Sequence, residues 1–169
     1  DEHKFNPTTN YMFNSLWTGY YNMISACNNA MYQEARYRAE MKTEENVEKT
    51  HQYACEAKVI RAYAYMELTR IFGSVPVVEG NMTSEQLANN PQVPMDKLYD
   101  YMYKDLDEAI DSLPETWGKT WGCRYNKYTA MALKAKIAMY KGDWAEAAKM
   151  SDMLISSGKF SLQSDYRYL

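Results

Sequence analysis

Apolar residues recur along this chain at spacings of three and four, the period of an α-helix, in five segments. The first runs from Thr9 to about Arg38, and the second from a Thr43 cap to Phe72. A third segment covers Met95 to Leu113, and the last two cover Tyr128 to Lys141 and Trp144 to Ser157. This pattern predicts an all-α fold in which short connections join antiparallel helices.

The second segment has the clearest helix end in the sequence. Gly73 fits a left-handed position just past a helix, and Pro76 prevents the helix from resuming. Arg61 lies inside this apolar helix, and a buried arginine must be paired. We therefore expect a structural ion pair, with Asp105 or Glu56 as the partner of Arg61.

The last two helices have the character of a tetratricopeptide repeat. Gly142 and Asp143 join them: Gly142 lies where glycine ends a helix, and Asp143 has capping-box spacing with Glu146. The small residues Ala135 and Ala147 lie where the two helices would cross. One helix pair cannot bury its apolar face alone, so further pairs are expected. The candidate second pair is Tyr53 to Phe72 with Met95 to Leu113, and residues 73–94 are inserted at its turn as a surface loop with a short extended piece at Val75, Val77 and Val78. We predict helical hairpins packed as an α-α superhelix or bundle with long loops between helices.

Composition limits the size and the partners of this fold. With 169 residues, 46% of them hydrophobic, the chain can bury one core, so we predict a single domain over residues 1–169. Nineteen basic residues against 22 acidic ones give a net charge of -3 without a basic block, so nucleic acid is not an expected partner. Sixteen tyrosines and four tryptophans suit helix interfaces and polar ligands such as sugars.

The sequence gives no signal for catalysis, a cofactor or a metal. Cys27, Cys55 and Cys123 lack CxxC or CxH spacing, which predicts neither a metal site nor a disulfide framework. The two histidines are His3, near a terminus, and His51, on a polar stretch of helix. No hydrolase, metalloprotease or nucleotide-binding motif is present. We therefore predict a protein that is not an enzyme and has no cofactor.

The loop from residue 115 to 124 is the best candidate for a sugar site. Sugar binding needs aromatic rings to cover the apolar face of a pyranose and polar groups to bind its hydroxyls. Trp117 and Trp121 supply the rings, and Lys119, Arg124 and Tyr125 supply polar groups. The alternative is that one or both tryptophans fold back onto the helices.

Other polar and aromatic residues are expected to have structural roles. Asn81, Asn89 and Asn90 lie in the second long loop and are typical turn residues. Trp17 and Trp144 fall on helical stripes, which favours packing within the core or between helices. No apolar run is long enough to span a membrane, and no signal-peptide pattern follows Asp1.

Three segments of the chain resemble the helical repeat portion of the SusD/RagB family. Asp105 to Pro114 is similar to the family's DL-x-x-A-x-x-x-LP pattern, and Asn126 to Leu162 is similar to its helix pair and the segment that follows. The remaining segment follows the family's EA-x-x-x-RA-x-x-Y-x-x-L-x-x-x-FG-x-VP pattern at Glu56, Ala57, Arg61, Ala62, Leu68, Phe72, Gly73, Val75 and Pro76.

This resemblance implies a function for the parent protein. Family members are lipid-anchored lipoproteins of the outer-membrane surface that capture oligosaccharides or polysaccharides and pass them to a SusC-like TonB-dependent transporter. They are several times longer than this chain, and its sequence contains no lipid-bearing amino-terminal cysteine, so we expect a fragment of a longer protein.

A second hypothesis assigns the chain a different role. It is a helical scaffold or adaptor module that binds a protein partner and has no sugar site of its own. Exposed aromatic residues grouped beside the two loops would favour sugar, and aromatic residues spread along a helical face would favour a protein.

Overall fold

The predicted all-α fold is confirmed in the part of the chain that the computed structural model describes, residues 11–40, 43–80, 82–118, 123–162 and 165. Helices dominate it, and a pair of two-residue strands interrupts them. In chain order the elements are α1 (Tyr11–Arg38), α2 (Glu44–Phe72), β1 (Val75–Pro76), α3 (Ser84–Ala88), β2 (Gln92–Val93), α4 (Met95–Ser112), α5 (Lys127–Lys141) and α6 (Trp144–Ser156).

Both ends of α2 follow from local sequence. The Thr43 side chain accepts a hydrogen bond from the backbone N–H of Asn46, which caps the first turn. Gly73 has a φ of 76°, which favours glycine, but its ψ of -128° lies outside the left-handed helical region that the sequence predicted. The chain therefore leaves α2 in an extended direction and enters β1.

The described residues of the insertion, 74–80 and 82–94, contain the extended piece that the sequence predicted at Val75, and also a strand partner and a short helix that it did not predict. β1 pairs with β2 in antiparallel register, with Val75 opposite Val93, and Val75 is fully buried. Between the strands, Thr83 and Gln86 form a reciprocal capping box that starts α3. The two ends of this insertion are therefore fastened together beside the core.

Each of the five long helices packs against its neighbour in the chain. α1 packs on α2, α2 on α4, α4 on α5, and α5 on α6. Helix α4 illustrates the reason for this packing, because apolar residues three and four positions apart form one buried stripe along it. The fully buried residues of this stripe are Leu98, Met102, Leu106 and Ala109. Serial packing of this kind is the arrangement of tetratricopeptide-like hairpins.

The turn between α5 and α6 has the predicted chemistry. Gly142 adopts a left-handed conformation, with a φ of 78° and a ψ of 16°. The Asp143 carboxylate accepts a hydrogen bond from the backbone N–H of Glu146 at 3.2 Å and caps α6. Ala135 and Ala147 are both buried.

The expectation for the two helical tryptophans holds for one of them. Trp17 packs edge-on against Phe72, with ring centroids 5.0 Å apart. Trp144 was expected to pack as well, but the prediction is wrong, because its side chain is 69% exposed. The reason is that α6 is the last helix described and no described element covers its outer face, where Ile155 is also exposed.

Candidate functional site

The loop between α4 and α5 is tied closed at its base. The backbone N–H of Lys127 donates to the Pro114 carbonyl at 3.1 Å, and the Asn126 side chain donates to the Glu115 carbonyl at 3.2 Å. Trp117 adds a third tie, because its indole N–H donates to the Tyr125 carbonyl at 2.6 Å. These bonds fix the direction in which the Trp117 ring leaves the loop.

The Trp117 ring stacks on Tyr53 of α2. The ring centroids are 6.3 Å apart and the planes differ by 25°. Arg124 lies against both rings, with its guanidinium carbon 3.7 Å from the Trp117 centroid and 4.8 Å from that of Tyr53. Such contacts contribute about 0.5–1 kcal/mol at exposed positions. We call Tyr53, Glu56, Trp117 and Arg124 the Trp117 cluster.

The Glu56 carboxylate holds the positively charged Arg124 side chain in this cluster. Arg124 donates through Nε to one carboxylate oxygen of Glu56 at 3.1 Å and through Nη2 to the other. This hydrogen bonding raises the pKa of Arg124 above its already high value. Tyr53 and Glu56 are three residues apart and share one face of α2, so both reach the same loop. The cluster combines a held cation, an anion and two stacked rings.

The structure describes three of the five residues predicted for sugar binding. Trp117 and Arg124 contact each other, and Tyr125 is 41% exposed beside them. Lys119 and Trp121 lie outside the described residues. Trp117 folds back onto α2, as the alternative expected, yet it keeps part of its surface accessible.

Sequence reasoning did not include Tyr53 and Glu56 in this site. Glu56 was expected as a possible partner of Arg61, whereas it pairs with Arg124, 68 positions away. The three-residue spacing of Tyr53 and Glu56 already places them on one helix face. The sequence did not show what this face contacts, because no local pattern links α2 to the loop before α5.

Arg61 belongs to a separate, buried network. It donates to both carboxylate oxygens of Asp105 at 2.8 and 2.7 Å and to the side-chain oxygen of Asn28 at 2.7 Å. Asn28 in turn donates to the carbonyl of Val78 at 2.8 Å. The network thus joins α1, α2 and α4 to the insertion after β1, which is a structural role.

Tyrosines extend this network. The Tyr65 hydroxyl accepts the backbone N–H of Val78 at 2.8 Å, and Tyr21 donates to the Pro76 carbonyl at 2.7 Å. Burial raises the pKa of Tyr65 to about 12, so its hydroxyl stays protonated. Pro76 therefore follows the helix end and also supplies an acceptor that anchors β1 to α1.

The asparagines of the insertion have the turn roles that were expected. The Asn90 side chain donates to the Val77 carbonyl at 2.7 Å, and that of Asn89 donates to the Glu85 carbonyl at 3.0 Å. Asn81 lies outside the described residues, as does His3.

An apolar groove lies between the start of α5, the end of α6 and the segment that follows α6. Its volume is about 710 Å³, and it is lined mainly by Tyr128, Ala132, Leu154, Ile155, Phe160 and Leu162. Phe160 packs edge-on against Tyr128 at 5.5 Å and is still 60% exposed. Such a surface suits apolar contact better than polar ligand binding. No helix in the described ranges combines the length and apolar character needed to cross a membrane.

The fold and the Trp117 cluster define a helical-repeat protein with an aromatic and charged patch at one loop. Residues 1–139 match the SusD-like family described as "Starch-binding associating with outer membrane". The chain therefore belongs to the SusD-like family, which is described by carbohydrate binding at the outer membrane and not by catalysis.

Individual relatives agree with this assignment. The chain is 28% identical over 134 residues to a SusD-like protein of Bacteroides ovatus, covering 76% of this chain and 22% of that protein. It superposes on a SusD homolog from Bacteroides thetaiotaomicron with a TM-score of 0.86 and 27% identity, covering 96% of this chain and 33% of that one.

A surface glycan-binding protein A from Bacteroides fluxus is also similar. The TM-score is 0.75 at 29% identity, and the match covers 90% of this chain and 32% of that one. The chain thus spans about a fifth to a third of the length of these relatives.

Proposed function

We propose that this chain is part of a protein that binds oligosaccharides or polysaccharides at the outer-membrane surface and delivers them to a SusC-like TonB-dependent transporter. The observation that carries the proposal is the Trp117 cluster, in which stacked aromatic rings and a held arginine lie together at the surface. The similarity to a surface glycan-binding protein supports it.

The chemistry of the cluster suits a sugar. Tyr53 is 51% exposed and offers a ring to the apolar face of a pyranose. A guanidinium carries five N–H donors, and Glu56 engages only Nε and Nη2 of Arg124, so donors remain for sugar hydroxyls. Because Glu56 and the ring stack hold Arg124 in place, little side-chain entropy is lost on binding.

Lys119, Trp121 and Tyr125 complete the proposed site. They belong to the same loop as Trp117, and Tyr125, which follows Arg124 in the chain, is 41% exposed. A lipid anchor on the parent protein would keep this site at the cell surface. We expect binding without cleavage, since the sequence carries no hydrolase motif.

A glycan array on the full-length parent protein, followed by calorimetry with the best oligosaccharide, tests this function. Trp117→Ala, Trp121→Ala and Tyr53→Ala should each weaken binding by at least about tenfold, or about 1.4 kcal/mol. Tyr63→Ala is the matched control, because Tyr63 lies on the same helix and is 39% exposed. Unchanged affinity in both tryptophan variants would remove this loop from the site.

The scaffold hypothesis is the second candidate, and it is supported by exposed aromatic residues that lie away from the loop. Tyr53 and Tyr125 lie beside the loop, but Tyr140, Trp144 and Phe160 are exposed around α5 and α6. A protein partner would cover that second group. If the full-length parent binds no glycan but forms a stable complex with the transporter, the scaffold role replaces the sugar role.

A further inference from the structure

Three side chains that can ligate metals lie together between α2 and α4. His51 and Cys55 are four residues apart on α2 and therefore share one face of the helix. Glu108 reaches the same place from α4. One potential ligand atom from each residue lies within 4.8 Å of the other two. The cysteine spacings did not indicate this group, because Glu108 joins it only through the packing of α2 on α4.

Two of the three separations are close to those around a tetrahedral ion, and the third, between Cys55 and Glu108, is at most 4.8 Å. Cys55 Sγ lies 3.7 Å from His51 Nε2, and His51 Nε2 lies 3.8 Å from Glu108 Oε1. Zinc bonds of about 2.0–2.3 Å at tetrahedral angles place neighbouring ligand atoms about 3.3–3.7 Å apart. These two contacts need only side-chain shifts of a few tenths of an ångström to reach that range.

The surroundings orient two of the three groups. Lys58 Nζ lies 2.5 Å from Glu108 Oε2, which leaves Oε1 facing His51. His51 Nε2 is also 3.2 Å from the Ser112 hydroxyl, whereas its buried Nδ1 has no hydrogen-bond partner in the part of the chain described. Nε2 is therefore the ring nitrogen that faces the group, and a second partner holds Glu108, as is common for metal-binding carboxylates.

Burial gives the group a closed base and an open rim. Cys55 is fully buried, while the side chains of His51 and Glu108 are 27% and 40% exposed. An ion can enter from the surface at His51 and Glu108 and reach the sulfur below them. Because a thiolate is the form that binds a metal, the ion would displace the thiol proton of Cys55 as the metal–sulfur bond forms.

We propose that His51, Cys55 and Glu108 form a binding site for a zinc-class divalent ion that links α2 to α4. Thiolate and imidazole ligands favour zinc over calcium or magnesium, which prefer oxygen. The thiolate and the Glu108 carboxylate bring two negative charges to the ion, and the Lys58 ammonium beside Glu108 offsets one of them. Three protein ligands leave one position for water.

Titration of the metal-free, reduced chain with Co²⁺, and competition by Zn²⁺, tests this site. We expect one Co²⁺ per chain, with a thiolate-to-cobalt charge-transfer band that Zn²⁺ removes. Cys55→Ala should abolish the band, and His51→Gln and Glu108→Gln should weaken Co²⁺ binding at least tenfold. Circular dichroism on each variant shows whether it still folds.

Controls come from the same chain. Cys27→Ala removes another buried cysteine, and Cys123→Ser removes an exposed one. His3→Gln removes the other histidine. All three should retain the band and the affinity. Absence of stoichiometric Co²⁺ binding by the wild-type chain, or a band that survives in folded Cys55→Ala, would overturn the proposal.

Discussion

Arg61 of α2 connects this helix to its main packing neighbours, α1 and α4. Its guanidinium bonds to Asp105 of α4 and Asn28 of α1, and it lies 5.0 Å from the ring centroid of Tyr101. The arginine and Asp105 are both buried. Removing one member of such a pair leaves the other charge without compensation inside the protein.

We therefore expect Arg61→Ala to lower the free energy of unfolding by about 3–5 kcal/mol. Urea unfolding followed by circular dichroism measures this change. The double variant Arg61→Met with Asp105→Leu should recover much of the loss, because it removes both charges. Lys49→Ala, at an exposed pair with Glu45, should change stability little. Equal stability of Arg61→Ala and the wild-type chain would contradict the structural role.

The sequence also identified Asp105 and Glu56 as the acids able to reach Arg61, and helix geometry explains which one does. Five positions along a helix correspond to a rotation of about 500°, so Glu56 points about 140° away from Arg61. It therefore faces the loop before α5 and meets Arg124. The 140° offset between Glu56 and Arg61 follows from their spacing in the sequence. The position of α4, which brings Asp105 to Arg61, does not.

At the scale of helices and turns, local chemistry was the most predictable part. The caps at Thr43 and Asp143 and the helix end at Gly73 depend on residues within one turn. The extended piece at Val75 was predicted, but its pairing with β2 and the helix α3 were not, because a two-residue ladder forms only when packing brings the ends of the insertion together. The contact between Tyr53 and Trp117 was missed for the same reason.

Two glycines should respond to alanine in opposite directions. Gly19 lies within α1 and has open space around an added Cβ, so Gly19→Ala should stabilise the chain by about 0.5–1 kcal/mol. Gly142 also has open space but has a φ of 78°, so Gly142→Ala should destabilise it by about 1–2 kcal/mol. Thermal unfolding distinguishes the two. A destabilised Gly19→Ala would instead indicate a close approach at α1.

A buried lysine joins three helices and should make stability depend on pH. Lys134 Nζ of α5 lies 2.5 Å from Asp107 of α4 and 2.7 Å from Glu146 of α6. The neighbouring ammonium lowers the pKa of Glu146 below its ordinary value of 4.5. Burial opposes the charge on Lys134, but its hydrogen bonds outweigh this effect and raise its pKa.

Because the pKa of Glu146 is lowered on folding, its contribution to stability is present above about pH 4.5 and is lost as the pH falls through the folded value. We expect the free energy of unfolding to decline below about pH 4.5, and to decline less steeply in Lys134→Met. Urea unfolding across this pH range measures both slopes. Lys136→Met, at an exposed position of the same helix, should keep the wild-type slope.

At the scale of the whole molecule, the last helical pair carries an exposed apolar surface. Ile155 of α6 and Phe160 are 75% and 60% exposed, and both line the apolar groove of about 710 Å³. Large exposed apolar surfaces on soluble chains mark contact sites or aggregation risks.

The chain spans only a third or less of its relatives' length, and whether it forms a single domain remains a prediction.

The exposed apolar surface of the last helical pair should bind a hydrophobic dye. We expect the wild-type chain to enhance the fluorescence of anilinonaphthalene sulfonate, and Phe160→Gln combined with Ile155→Gln to reduce it by at least half. Helical content should stay unchanged. Leu87→Gln is the control, because Leu87 is 46% exposed on α3, away from the groove-lining residues. Undiminished fluorescence in the double variant would show that the dye binds elsewhere.

The strand pair at the foot of the insertion holds the two ends of the insertion together at the helical frame. With Val75 opposite Val93 and Pro76 opposite Gln92, these ends can stay in place when the number of residues between them changes. Doubling the length of such a loop costs only about 0.6 kcal/mol in closure entropy. Extra residues can therefore be accommodated between the strands while α2 and α4 keep their packing.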